Sequence, residues 1–303
     1  MGREKLFARQ DLMLSRLFKV PPMLWLFLPA ALFLAGTCSV AQDFTQRGAP
    51  PRVNNPVNPL KLLANIYYVG MSDNTSYLIT TPEGNILIDA TSEETVPLIR
   101  ASIEKLGFKM RDIKIMLNSH GHADHIGGEK LMQELTGAQV WISEPDAPVL
   151  TAGGRGIKAM KPDRVFGDGQ QVILGGVTLT ANFTPGHTKG CTTWTMEAED
   201  GGKKYNVVFW CGLGGLNLPL LNNPRYPNLA QDAAYSVQIA KLLPCDVYFG
   251  PHTENYGMLE KLKKLEQGGG PNPFIDPQGC RTSVEEREKQ LQAELKKERA
   301  AAR

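Results

Sequence analysis

The segment Asn118-Ser119-His120-Gly121-His122-Ala123-Asp124-His125-Ile126-Gly127-Gly128 holds three of the five histidines in the 303-residue chain. The other two stand in Thr184-Pro185-Gly186-His187-Thr188 and Gly250-Pro251-His252-Thr253. A histidine allotment gathered this way around an aspartate points to metal, because neutral imidazole and carboxylate are ligands for zinc-like ions. A donor set without thiolates is the kind that leaves coordination positions open for water and substrate. His120 and His122 are two residues apart, so in an extended loop they leave the backbone on the same side and can grip one ion. Asp124 and His125, from the turn beyond, can face a second ion, and His187 and His252 provide one remote ligand for each. A closed structural zinc site would need four protein ligands on one ion, usually with cysteine.

Outward from this loop the pattern is that of a layered α/β domain. Ile113 to Leu117 reads as a short strand that delivers the histidines to its end, the usual place for functional loops. Upstream, Ile66 to Val69, Ser76 to Thr80 and Ile86 to Asp89 read as strands, with Pro82-Glu83-Gly84-Asn85 as a turn. Thr91 with Glu94 reads as a capping box for a helix carrying Val96, Ile99, Ile103 and Leu106. Downstream, Gly127-Gly128 is expected to turn the chain tightly into a helix from Glu129 to Leu135, followed by a strand at Val140-Trp141-Ile142. Thr151 to Gly156 reads as a mobile loop near the site. Strands return from Val172 to Phe183 and at Val247-Tyr248-Phe249, each with a histidine just past its end. Strands with helices, repeated twice, suggest two sheets with helices outside. Ser283 to Arg303 reads as a charged helix with few apolar anchors after Leu295 and fraying last turns; Glu294 and Glu298 among its lysines mark a solvated face.

The first 41 residues are expected to be a signal peptide cleaved after Ala41: Arg3, Lys5, Arg9, Arg16 and Lys19 precede an apolar run from Met23 to Gly36, and Ser39-Val40-Ala41 supplies small residues. The run is short for a membrane span. Residues 42–303 are then expected to form a single domain with a large core. Removing the leader's five basic and two acidic residues from totals of 33 and 31 leaves 28 and 29, a net charge near −1. That balance carries no nucleic-acid footprint. The protein is expected in the periplasm or secreted, without stable membrane insertion, as a monomer acting on a small molecule.

Cys191, Cys211, Cys245 and Cys280 remain after the leader, and export favours disulfides over free thiols. Three pairings exist for four cysteines. Cys191 and Cys211 flank an apparent hairpin around Asp200-Gly201-Gly202 and would face each other if its loop has an odd length, leaving Cys245 with Cys280.

The histidine cluster resembles the metallo-β-lactamase superfamily, marked by H-x-H-x-D-H followed by Gly-Gly. Pro185-Gly186-His187-Thr188 and Pro251-His252 follow in the expected order. The resemblance implies an α/β fold, an αβ/βα sandwich of two mixed sheets with helices on the outer faces. It implies a centre of two Zn2+ ions per chain at the sandwich edge, with His120, His122 and His187 on the first ion and Asp124, His125 and His252 on the second. Ribonucleases, glyoxalase II, lactonases and lactamases share this cluster. Most of the non-lactamase hydrolases have a metal-bridging aspartate after the strand that here reads Val207-Val208-Phe209-Trp210-Cys211-Gly212-Leu213, without a carboxylate.

Asn223-Pro224-Arg225-Tyr226-Pro227, Leu243 to Val247 and Asn272 to Pro277 are similar to subclass B3 metallo-β-lactamases, some of which join the positions of Cys245 and Cys280. The implied reaction is opening of a β-lactam amide by a zinc-bound hydroxide, with Asp124 orienting the nucleophile. Alternatives are an exported hydrolase of the same fold acting on lactones, thioesters or phosphodiesters, and a non-catalytic zinc-binding module. The chain departs from the B3 pattern at Gly212 and Gly214, where many members carry serines. Cys211 lies one residue before the position of a thiolate ligand in other subclasses, which makes a ligand exchange conceivable.

Overall fold

A computed structural model describes residues 54–213 and 218–302; the expected signal peptide and Gly214 lie outside these. Seven strands form one sheet in the order β1 to β7: β1 (Leu60–Leu63), β2 (Ile66–Tyr68), β3 (Tyr77–Thr81), β4 (Gly84–Ile88), β5 (Ile113–Leu117), β6 (Gln139–Ser143) and β7 (Arg164–Phe166). The first four are antiparallel and the last three run parallel to β4. The second sheet has the order β12-β11-β10-β9-β8, from β8 (Gln171–Leu174), β9 (Val177–Phe183), β10 (Thr192–Asp200), β11 (Lys203–Phe209) and β12 (Val247–Phe249). β12 alone is parallel to its neighbour. Both sheets are therefore mixed, as the resemblance implied.

The alternation of side chains along a strand explains how one sheet serves two cores. Tyr77, Ile79, Ile86 and Ile88 point into the layer shared with Leu179, Trp194, Val207 and Phe209 of the second sheet. Leu78 and Leu87, one residue out of phase, point the other way onto Ile99 and Ile103 of α1 (Val96–Lys105) and Met132 of α3 (Glu129–Thr136). Between these helices lies the single turn α2 (Ala123–Ile126), and α4 (Ala147–Ala152) follows β6. α5 (Leu229–Leu242), α6 (Met258–Gln267) and α7 (Pro277–Ala301) contribute Val237, Leu262, Val284 and Leu291 to the core that includes the second sheet.

Several local expectations are corrected. Thr91 does not cap α1: its φ is +57°, and its hydroxyl pairs with Thr95. Gly127 and Gly128 have ordinary helical angles and no tight turn. They are small because a Cβ at Gly127 would lie 2.4 Å from the Ala123 carbonyl, and one at Gly128 2.5 Å from that of Ala90. Thr151 belongs to α4, and the loop after it is closed by paired hydrogen bonds between Gly154 and Ile157. The charged helix begins at Pro277, six residues early, because Asp276 caps it by accepting from the Gly279 N–H. Its last turns are also anchored: the Glu298 carboxylate accepts from the Leu220 and Leu221 N–H groups at 2.8 Å each. Arg287 Nε donates to the Leu213 carbonyl.

Both disulfides are present, Cys191–Cys211 and Cys245–Cys280, with Cα separations of 5.7 and 6.4 Å, within the usual range. The hairpin loop is even, with Asp200 paired to Lys203, so continuing the register sets Cys191 opposite Gly212 rather than Cys211. The bridge forms diagonally, past the last ladder pair of Trp194 with Phe209.

Candidate metal centre

Every histidine sits where a strand has just ended. β5 runs into the His120 to His125 loop, β9 precedes His187, and β12 precedes His252. Three backbone contacts pull these ends to one edge: Thr192 N–H to the Ser119 carbonyl joins the sheets at 2.8 Å, Asp89 N–H binds the Leu117 carbonyl at 2.9 Å, and Thr75 N–H binds the Pro251 carbonyl at 3.1 Å.

Two donor groups result. In the first, one ligand atom each of His120, His122 and His187 lies within 4.8 Å of the others, and the Nε2 atoms of His120 and His187 are 3.0 Å apart. In the second, His125 Nε2 is 3.3 Å from His252 Nε2 and 3.4 Å from Asp124 Oδ2, with His252 Nε2 3.6 Å from the same oxygen. His120 also lies within 4.8 Å of the Asp124 and His125 donors, so the groups share a wall. The structure thus brings all six of these residues to one edge: His120, His122 and His187 form one group, His120, Asp124 and His125 another, and His252 stands beside Asp124 and His125.

The electrostatics differ between the groups. Burial lowers His120 and His187 well below the ordinary histidine range, helped by the neighbouring imidazoles, and lowers His122 to about 4. Neutral imidazole is the form that binds metal. In the second group burial would lower His125, but Asp124 and Asp89 outweigh it and push it up to about 10. Burial would likewise raise Asp124, yet the charge and hydrogen bond of His125, with His252 and His122, hold its carboxyl below the usual range. Three neutral nitrogens suit a divalent cation, and in the second group a cation would replace the proton that Asp124 and Asp89 favour on His125.

Side chains outside the histidine motif hold these donors in place. Asp89, at the end of β4, is buried with φ +62°. Its carboxylate accepts from the Ser119 N–H at 2.6 Å and hydroxyl at 2.8 Å, and meets His125 Nδ1 at 3.0 Å. A non-glycine residue held at positive φ marks backbone strain of the sort found at functional sites. Asp73 Oδ1 lies 3.3 Å from His252 Nδ1. Asn74 Nδ2 donates to Asp124 Oδ2 at 3.1 Å, and Asn54 Oδ1 accepts the Asn74 N–H at 3.2 Å. Asp146 is buried between the His120 to His122 loop and the loop of His187. Burial raises its carboxyl, against the hydrogen bonds of Thr188, Gly121 and Gly190. The spacing of histidines gave no sign of these partners. The signal available was an aspartate directly after an apolar strand, as at Ile88-Asp89.

Cys211 is bound in a disulfide and offers no thiolate, which removes the ligand exchange. Gly212 lies against His187: a Cβ there would be 3.0 Å from its ring.

Comparison with known proteins agrees with this geometry. The family described as the Metallo-beta-lactamase superfamily matches residues 69–200. Among solved structures, the native FEZ-1 metallo-beta-lactamase from Legionella gormanii superposes with a TM-score of 0.79 at 40% identity, covering 82% of this chain and 99% of that one. BJP-1, a subclass B3 metallo-beta-lactamase of Bradyrhizobium japonicum, gives 0.77 at 38% identity, covering 82% and 97%. A hydroxyacylglutathione hydrolase of Hyphomonas neptunium is 30% identical over 145 residues, 48% of this chain and 51% of that protein. The chain thus spans about half the length of that curated relative.

Proposed function

Because the chain belongs to the metallo-β-lactamase superfamily, we propose that it is a hydrolase with two zinc ions whose main substrates are β-lactams. The observation that carries this reading is the pair of three-donor groups without thiolate, at one edge of a fold shared over almost the whole length of FEZ-1 and BJP-1. His120, His122 and His187 would hold one ion, and Asp124, His125 and His252 the other. Bound zinc supplies Lewis acidity and a hydroxide nucleophile at neutral pH.

The chain's own groups do the rest. His120 and His187 are buried and kept neutral, so they bind without first losing a proton. Asp89 fixes the ring of His125 and, through Ser119, the start of the ligand loop. Such carboxylate partners orient a ligand ring and raise its basicity. Asp124 keeps 45% of its side chain exposed while Asn74 steadies one oxygen. That makes it the acidic group able to accept a hydrogen bond from the attacking water and to orient it. No serine or cysteine nucleophile is required, since water is the attacking group. The two disulfides fit an oxidising, extracytoplasmic location.

A thioester substrate is the second reading, favoured by the likeness to a hydroxyacylglutathione hydrolase. Against it stands the end of β11, where Trp210, Cys211 and Gly212 supply no bridging carboxylate. Nitrocefin, an aryl lactone, an acyl-glutathione thioester and bis-p-nitrophenyl phosphate, assayed together, test the choice. Nitrocefin should be hydrolysed fastest, with activity lost to chelator and restored by zinc. Faster thioester turnover, or none on any substrate at full zinc occupancy, overturns the proposal.

A further inference from the structure

Asp146 is joined to both halves of the first donor group. One carboxylate oxygen, Oδ2, accepts from the Gly121 N–H at 2.8 Å and from the Thr188 hydroxyl at 2.7 Å. The other, Oδ1, accepts from the Gly190 N–H at 3.0 Å. Gly121 lies between His120 and His122, and Thr188 is the residue after His187. Asp146 itself stands on neither loop but on the turn between β6 and α4, where its own N–H is fixed to the Ser143 carbonyl at 3.1 Å. The fit leaves no slack. A Cβ at Gly121 would come 3.0 Å from the Asp146 Cβ, and one at Gly190 would come 2.6 Å from its Cγ. Both glycines are small where they face this carboxylate, so the two loops close on it from opposite sides.

We infer that Asp146 is a positioning residue that sets the spacing of His187 from His120 and His122, and thereby the affinity of the first metal position. The inference rests on the two-ion reading above, yet it concerns one ion only. Asp146 makes no hydrogen bond to Asp124, His125 or His252, and the second group has its own carboxylate partners in Asp89 and Asp73. An asparagine in its place would keep the shape but turn an amide donor toward one of the donors now satisfied. Burying two donors face to face would push the loops apart.

The test is zinc affinity of the intact protein, measured by chelator competition. In Asp146→Asn, one of the two zinc dissociation constants should rise about 10–100-fold, the usual effect of losing an outer-shell partner, while the other stays within about threefold. The same rise should appear in the single zinc of the His252→Ala background. Unchanged affinity at both positions overturns the inference. So does an equal weakening of both together with a lower melting temperature, since that marks a general structural role. Should Asp146→Asn fail to fold, Thr188→Val, which removes one donor and leaves the carboxylate, decides: weakening confined to one position supports the assignment, and no change overturns it. Wild-type protein that binds zinc without opening β-lactams would sink the substrate reading and leave this result standing. Wild-type protein that binds no zinc would sink both.

Discussion

Glu129, at the start of α3, is fully buried, and a single contact supports it: Asn118 Nδ2 donates to its Oε1 at 2.9 Å. Oε2 is buried with no hydrogen-bond partner. Burial, with a smaller contribution from Asp89, pushes its carboxyl up to about 8. The unfolded chain ionises this group near the ordinary glutamate value, about 4.3, while the folded chain keeps the proton up to about 8. The native state therefore binds more protons across that window, and stability contributed by this group is present below it and lost as pH rises through it. At about 1.36 kcal/mol per unit, the loss is roughly 3–5 kcal/mol.

Glu129→Gln keeps the acceptor for Asn118 and cannot ionise. Urea unfolding of both proteins, disulfides intact and zinc saturating, isolates the effect because other titrating groups and the metal linkage cancel in the difference. The two should be nearly equal at about pH 5, with the variant more stable by roughly 3–5 kcal/mol near pH 9. A difference that stays flat across this range would refute the reasoning.

Two further outcomes are expected. His252→Ala should reduce bound zinc from two to one per chain by metal analysis and lower β-lactam hydrolysis by more than the about 10–100-fold typical of an outer partner; two zincs with full activity would show that the second group is misassigned. Replacing Cys245 and Cys280 together with serine should lower unfolding free energy by about 3.8 kcal/mol and replacing Cys191 and Cys211 by about 3.3 kcal/mol, a difference of about 0.5 kcal/mol that follows from loop lengths of 35 and 20 residues in the chain-entropy model. Equal losses in both pairs would argue against that account.

The six residues proposed as ligands were legible as a cluster because metal binding constrains both residue type and spacing, and both are written locally. The two-sheet architecture was legible from strand alternation and from the resemblance. What escaped was set by tertiary approach. Asp89, Asp146 and Asn74 act through partners 25 to 50 positions away, and no local pattern marks those pairings. Thr91 and Glu94 have the spacing of a capping box, but the strained backbone behind the site puts Thr91 in a left-handed conformation. Gly127 and Gly128 looked like a tight turn and instead are contact points, a distinction that needs the neighbouring carbonyls. The two pairings of cysteines came out as expected, although the even hairpin loop makes one of them diagonal.

The grip of α7 on Leu220 and Leu221 has a kinetic side. Leu220 and Leu221 owe their N–H bonds to Glu298, at sequence separations of 78 and 77. Contacts this distant in sequence close large loops, and that entropy must be spent before the contact forms. The Leu220 and Leu221 N–H groups are therefore held only after the helix has docked. Amide exchange at Leu220 and Leu221 reads out that docking, and any event that lifts the last turns of α7 will be reported there as lost protection.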